Sequence, residues 1–95
     1  MENKKAAAAI RELREFIGLT QTEFAKLYLK RSLNTQQIYE RRGTPPAMVM
    51  QQLVELARSK GRNDLAATLK LGLQDNWPEK VLNELRDMPA IVKKR

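Results

Sequence analysis

The chain contains neither cysteine nor histidine among its 95 residues. Without cysteine there can be no disulfide, thiol nucleophile or thiolate zinc site. Without histidine the commonest general base and the commonest transition-metal ligand are both missing. Long apolar runs are absent as well. The longest, "AAAAI" at Ala6 to Ile10, falls far short of the ~20 residues a membrane-spanning helix needs. It is also too short for a signal peptide and leads straight into "RELRE". No stretch alternates β-branched and polar residues, so no sheet is expected. No glycine-rich phosphate loop, metal-ligand spacing or nucleophile–base pairing occurs. The carboxylates Glu12, Glu15, Glu79, Glu84 and Asp87 are interleaved with Arg or Lys, the pattern of surface ion pairs. The expectation is a cytoplasmic protein that is not an enzyme and needs no cofactor or metal.

Positive charge, by contrast, is plentiful. Eighteen Lys and Arg stand against eleven Asp and Glu, a formal charge of +7. The excess is spread along the chain: net +4 up to Gly43 and net +3 beyond it. It is densest from Lys26 to Arg42, with five cations and one acid. Such density suits a polyanion, and counterion release makes that kind of binding steeply salt-dependent.

Gly and Pro divide the chain into helical lengths. Ala6, Ala9, Ile10, Leu13, Phe16 and Ile17 recur three and four apart before Gly18, marking a first helix. Thr20 to Leu29 forms a second, with Phe24, Ala25, Leu27 and Tyr28 as its inward candidates. A third runs from about Ser32, a suitable cap, to Arg42 and closes at Gly43. Thr44, Pro45 and Pro46 open a fourth, in which Met48, Val49, Leu53, Leu56 and Ala57 face inward. For the two methionines Met48 and Met50, core filling or partial exposure is expected rather than a groove for a partner. Asn63 caps a fifth helix with Leu65, Ala66, Leu69 and Leu73 inside, and Pro78 opens a sixth. The expected fold is therefore all-α, a small bundle of five to six helices with a central helix-turn-helix and no sheet. Residues 1–75 form the helix-turn-helix domain. Residues 76–95 form a helical extension whose Trp77, Val81, Leu82, Leu85 and Met88 are candidates for a homodimer contact.

The second and third helices are separated by only a few residues around Lys30 to Ser32, which lets the third project and enter a major groove. At this point "IRELREFIGLTQTEFAKLY" followed by "IYERRGTPPAMVMQQLVELA" resembles the lambda-repressor/Cro-type, or XRE-like, helix-turn-helix family. The matching residues are Leu13, Arg14, Gly18, Leu19, Thr20, Gln21, Glu23, Ala25, Tyr39, Glu40, Gly43, Pro46, Leu53, Leu56 and Ala57. Two departures stand out. Leu29 or Lys30 replaces the small residue usual in the turn, and "YERRG" is one residue longer than the family's step. Aligned from Gln21, the third helix buries Thr35 and Ile38. Aligned back from Tyr39 and Glu40, it places Gln36 inward instead. Hiding the apolar groups favours a buried stripe of Thr35, Ile38, Tyr39 and the stem of Arg42. Either alignment leaves Asn34, Gln37 and Arg41 outward.

Asn and Gln suit adenine, Arg suits guanine, and hydroxyls address several bases. The candidates for base reading are thus Ser32, Asn34, Thr35, Gln36, Gln37 and Arg41. Gln21 and Thr22 at the start of the second helix, with Lys30, Arg31 and Arg42, are candidates for holding phosphate. The resemblance implies a phosphate contact for Gln21 and a fold-bracing role for Glu40. The expected partner is double-stranded DNA, bound by a homodimeric transcriptional regulator, with no membrane association. Two rivals stay open. One is an antitoxin or a phage or plasmid accessory factor that binds a protein through its C-terminal half. The other is a DNA-packaging or scaffold protein with sequence-independent contacts.

Overall fold

The first helix begins where Asn3 accepts the Ala6 N–H on its side-chain oxygen at 3.0 Å. This helix, α1, spans Lys4–Ile17 and stops at Gly18, whose N–H turns back to the carbonyls of Arg14 and Glu15. Thr20 and Glu23 then form a reciprocal capping box and open α2, Gln21–Phe24. The chain continues from it into a π-helical turn, Ala25–Leu29. That wide turn changes which residues point inward. Phe24, Ala25 and Leu29 are buried, whereas Leu27, expected inside by a regular helical period, is exposed. Lys30 ends the turn in the left-handed region at φ +55°, and the N–H groups of Lys30 and Arg31 converge on the Ala25 carbonyl.

Ser32 caps α3, Leu33–Arg42, by accepting the Thr35 N–H at 3.2 Å. Pro46 stands at the cap position of α4, Ala47–Ser59, one residue earlier than a proline inside the first turn would. The α4 stripe accordingly uses Ala47, Val49, Met50, Leu53, Val54 and Ala57, leaving Met48 exposed. The turn at Lys60 and Gly61 leads to α5, Asn63–Asn76. The Arg62 carbonyl accepts the Ala66 N–H, so Asn63 is the first helical residue rather than the expected cap.

The computed structural model describes residues 2–76. Among these there are five helices and no strand, an all-α fold. Trp77, Val81, Leu82, Leu85 and Met88 lie outside the described residues, as does the expected sixth helix. No helix among the described residues is long and apolar enough to cross a membrane.

A single core joins all the elements. Ile10 and Leu13 of α1 meet Phe24 and Leu29, Tyr39 of α3, Met50, Leu53 and Ala57 of α4, and Leu65, Leu69 and Leu73 of α5. Phe16, expected in this core, is half exposed. The Arg62 guanidinium lies 4.8 Å from its ring centroid while also binding Glu12 and Asp64. The hydrogen bonds from Arg62 hold the Asp64 carboxyl down at about 2.

Only Gln36 and Tyr39 of α3 are buried, so an apolar stripe contributes little to its attachment. Its C-terminus is instead pinned to the start of α1. The Asn3 N–H donates to the Arg42 carbonyl at 2.7 Å, and Gly43 follows in the left-handed region at φ +69°. A Cβ on Gly43 would lie 2.6 Å from the Ala7 backbone nitrogen and closer still to the Asn3 carbonyl oxygen. Both the dihedral and the space therefore require glycine. Gly43→Ala is expected to destabilise the protein by about 2–5 kcal/mol, the sum of a left-handed penalty and a backbone clash. Urea denaturation of the two proteins measures it, and a loss below ~1 kcal/mol would show that α1 and α3 separate without cost.

Candidate nucleic-acid interface

The orientation of α3 about its axis is set by a carboxylate. Glu40 points inward with a side chain only 5% exposed and meets Arg14 of α1, itself largely covered. Arg14 Nε donates to Glu40 Oε2 at 2.7 Å and Nη2 to Oε1 at 3.1 Å, a two-pronged pair. The remaining prong, Nη1, donates to the Leu19 carbonyl at 2.9 Å. Gln21 of α2 adds a hydrogen bond from Nε2 to Glu40 Oε1 at 3.1 Å. Gln36, one turn earlier on α3, donates from Nε2 to Glu40 Oε2 at 2.7 Å. One carboxylate thus ties α1, the turn after it, α2 and α3 together. Burial by itself raises the Glu40 pKa. The hydrogen bonds from Arg14, Gln36 and Gln21 and the charge of Arg14 outweigh it, so the group lies below its ordinary value of 4.5.

This arrangement corrects the expected face of α3. Gln36, a candidate for base reading, is 0% exposed and committed to Glu40, so it cannot reach a base edge without breaking the clamp. Its Oε1 is buried without a hydrogen-bond partner. The expected inward stripe is corrected too. Thr35 is half-buried and Tyr39 buried, but Ile38 is 36% exposed and Arg42 exposed. The helix is turned by about one residue, roughly 100°, from the orientation that hides most apolar surface.

The outward arc of α3 carries Leu33, Asn34, Gln37, Ile38, Arg41 and Arg42. Asn34, Gln37 and Arg41 bond no other described residue through their side chains. Ser32 is exposed, but its hydroxyl serves the cap and lies 3.1 Å from that of Thr35. Thr22 is exposed, and one N–H of the half-buried Gln21 amide is spent on Glu40, leaving the other for an external acceptor.

Lys26, Lys30, Arg31, Arg41 and Arg42 are all exposed, and none is ion-paired with another described residue. The sole acid between Lys26 and Arg42 is Glu40, which is turned inward. No cluster of candidate metal ligands occurs among the described residues. Arg14 was legible in the family-like pattern but had no assigned role; the inward acid at Glu40 was the signal for it. Leu33 is exposed as its place on the flank of the outward face implies, whereas the exposure of Ile38 had no such signal. Comparison with known proteins adds no relative: no family model, curated protein or solved structure matches the chain.

Two outcomes follow from the clamp. A depressed native pKa means that Glu40 stabilises the fold fully above its ordinary value of 4.5 and progressively less as the pH falls below it. Gln36→Glu replaces a donor by a second buried carboxylate. It is expected to cost about 3 kcal/mol or more at pH 7 and to recover stability on acidification towards pH 5, opposite in sign to the parent. Urea melts at pH 7, 5 and 4 check both trends. Lys30→Gly removes the strain of a left-handed lysine and should raise stability by about 0.5–1 kcal/mol in the same assay.

Proposed function

We propose that this chain is a sequence-specific double-stranded DNA-binding protein of XRE-like helix-turn-helix type. In this reading it is a transcriptional repressor that inserts α3 into the major groove. One observation carries the reading: the amide and guanidinium groups of Asn34, Gln37 and Arg41 share an exposed arc, edged by cations, all without partners among the described residues, while the acid of that segment faces inward. A solvated helix has no use for withdrawing its carboxylate at the expense of desolvation. A helix set against phosphate does, because an outward acid would repel the backbone.

The roles divide by chemistry. Asn34 and Gln37 address adenine, whose N6 and N7 offer one donor and one acceptor, and Arg41 addresses guanine. Lys26, Lys30, Arg31 and Arg42 hold phosphates, giving affinity and register with little sequence information. Thr22 and the remaining N–H of Gln21 join them at the start of α2. One such helix reads only a few base pairs, so two chains on an inverted repeat is the expected mode of binding.

Selection of sites from random duplex DNA tests the reading directly, and an inverted repeat is the expected product. On the selected site Gln37→Ala should cost about 1–3 kcal/mol and relax preference at one base pair. Arg42→Ala should weaken all sequences alike and reduce the salt slope by ~1. Titrations against mutated sites at several salt concentrations measure both. Equal affinity for selected and random DNA would leave the packaging or scaffold alternative standing instead.

A further inference from the structure

We infer that Leu33 and Ile38 are specificity contacts to thymine, each packing on a thymine 5-methyl group at the edge of the site that α3 reads. The inference rests on the proposed major-groove reading and extends it to a base class that the polar residues do not cover.

Leu33 and Ile38 are 42% and 36% exposed, on the same arc as Asn34, Gln37 and Arg41. More than half of each residue is thus covered by the protein, while part of each apolar group stays open to solvent. The two are five positions apart, which separates them by roughly 140° around the helix and 7.5 Å along it. They therefore flank the polar trio on opposite shoulders instead of forming one patch. A protein partner calls for contiguous apolar surface. Two separated apolar tips among the cations Lys30, Arg31, Arg41 and Arg42 fit a polyanion that displays isolated apolar groups. The major groove of DNA is such a surface: thymine alone among its bases carries a methyl group there. Exposed Leu27 lies on the π-helical turn, outside this arc, and is given no such role.

Replacing thymine by deoxyuridine removes the methyl group and leaves base pairing and every polar edge intact. The test takes the site selected from random duplex DNA and substitutes its thymines one at a time. Dissociation constants are then measured for the parent chain, Leu33→Ala and Ile38→Ala, with circular dichroism checking that each variant is folded. Burial of one methyl group corresponds to about a fourfold change in affinity. The expected result is a loss near fourfold at particular thymines in the parent, absent in the variant whose apolar tip has been removed. Site-specific binding with every deoxyuridine substitution neutral would overturn this inference alone. So would methyl effects that persist unchanged in both variants. The uracil scan on the parent decides the matter even if a variant fails to fold. Absence of any sequence preference would overturn the major-groove reading as well.

Discussion

The pair between Arg14 and Glu40 decides how α3 is presented. A helix with few apolar residues has little hydrophobic reason to adopt one rotation over another, and α3 buries only Gln36 and Tyr39. A bidentate ion pair is directional where hydrophobic contact is not. With Nε and Nη2 of Arg14 on the two carboxylate oxygens, and amides of Gln21 and Gln36 on the same oxygens, Glu40 can occupy one position only. Removing one partner from such a pair is costly because the other remains buried and uncompensated, typically about 3–5 kcal/mol. The net gain over a hydrophobic substitute is small, so the clamp is better regarded as specifying orientation than as adding stability.

Glycine at position 43 complements that clamp. Glu40 sets rotation, while the contact of Gly43 with the backbone of Asn3 and Ala7 sets how close the end of α3 comes to α1. The near end is governed by the π-helical turn Ala25–Leu29, which Lys30 closes in the left-handed region. Three local devices at separate points along a short segment thus hold a helix on whose outward side Asn34, Gln37 and Arg41 bond no other described residue through their side chains. Substitutions in the holding set act through stability, whereas substitutions of the Asn34, Gln37 and Arg41 side chains touch neither the core nor the clamp.

Much of this was legible in the sequence. Gly18, Gly43 and Pro46 mark helix ends because backbone geometry leaves few alternatives there, and the inward set Leu65, Ala66, Leu69 and Leu73 of α5 follows regular periodicity. The rotation of α3 was not legible from periodicity, since that rule assumes apolar burial dominates. It places Ile38 inside, but the directional pair with Arg14 prevails and brings Gln36 in instead. The register of α2 was obscured by the π-helical turn, which moves Leu29 inward and Leu27 out. Asn34, Gln37 and Arg41 are outward under both descriptions because they lie in the overlap of two arcs about 100° apart.

That overlap bears on how such a face can persist while its support changes. An acid on α3 has two places to go. Facing outward it would lower the positive potential around Lys30, Arg31, Arg41 and Arg42 and repel phosphate at short range. Facing inward it loses hydration, which is tolerable only with a cation and further donors at hand. Arg14 and the two glutamine amides supply these, and so the cost of burial falls on the scaffold while the outward arc keeps an unopposed charge. Gln36 shows the limit of this solution: its nitrogen serves the carboxylate while its own oxygen is left without a partner in the interior. A side chain of similar length without the amide nitrogen would leave Glu40 short of a donor.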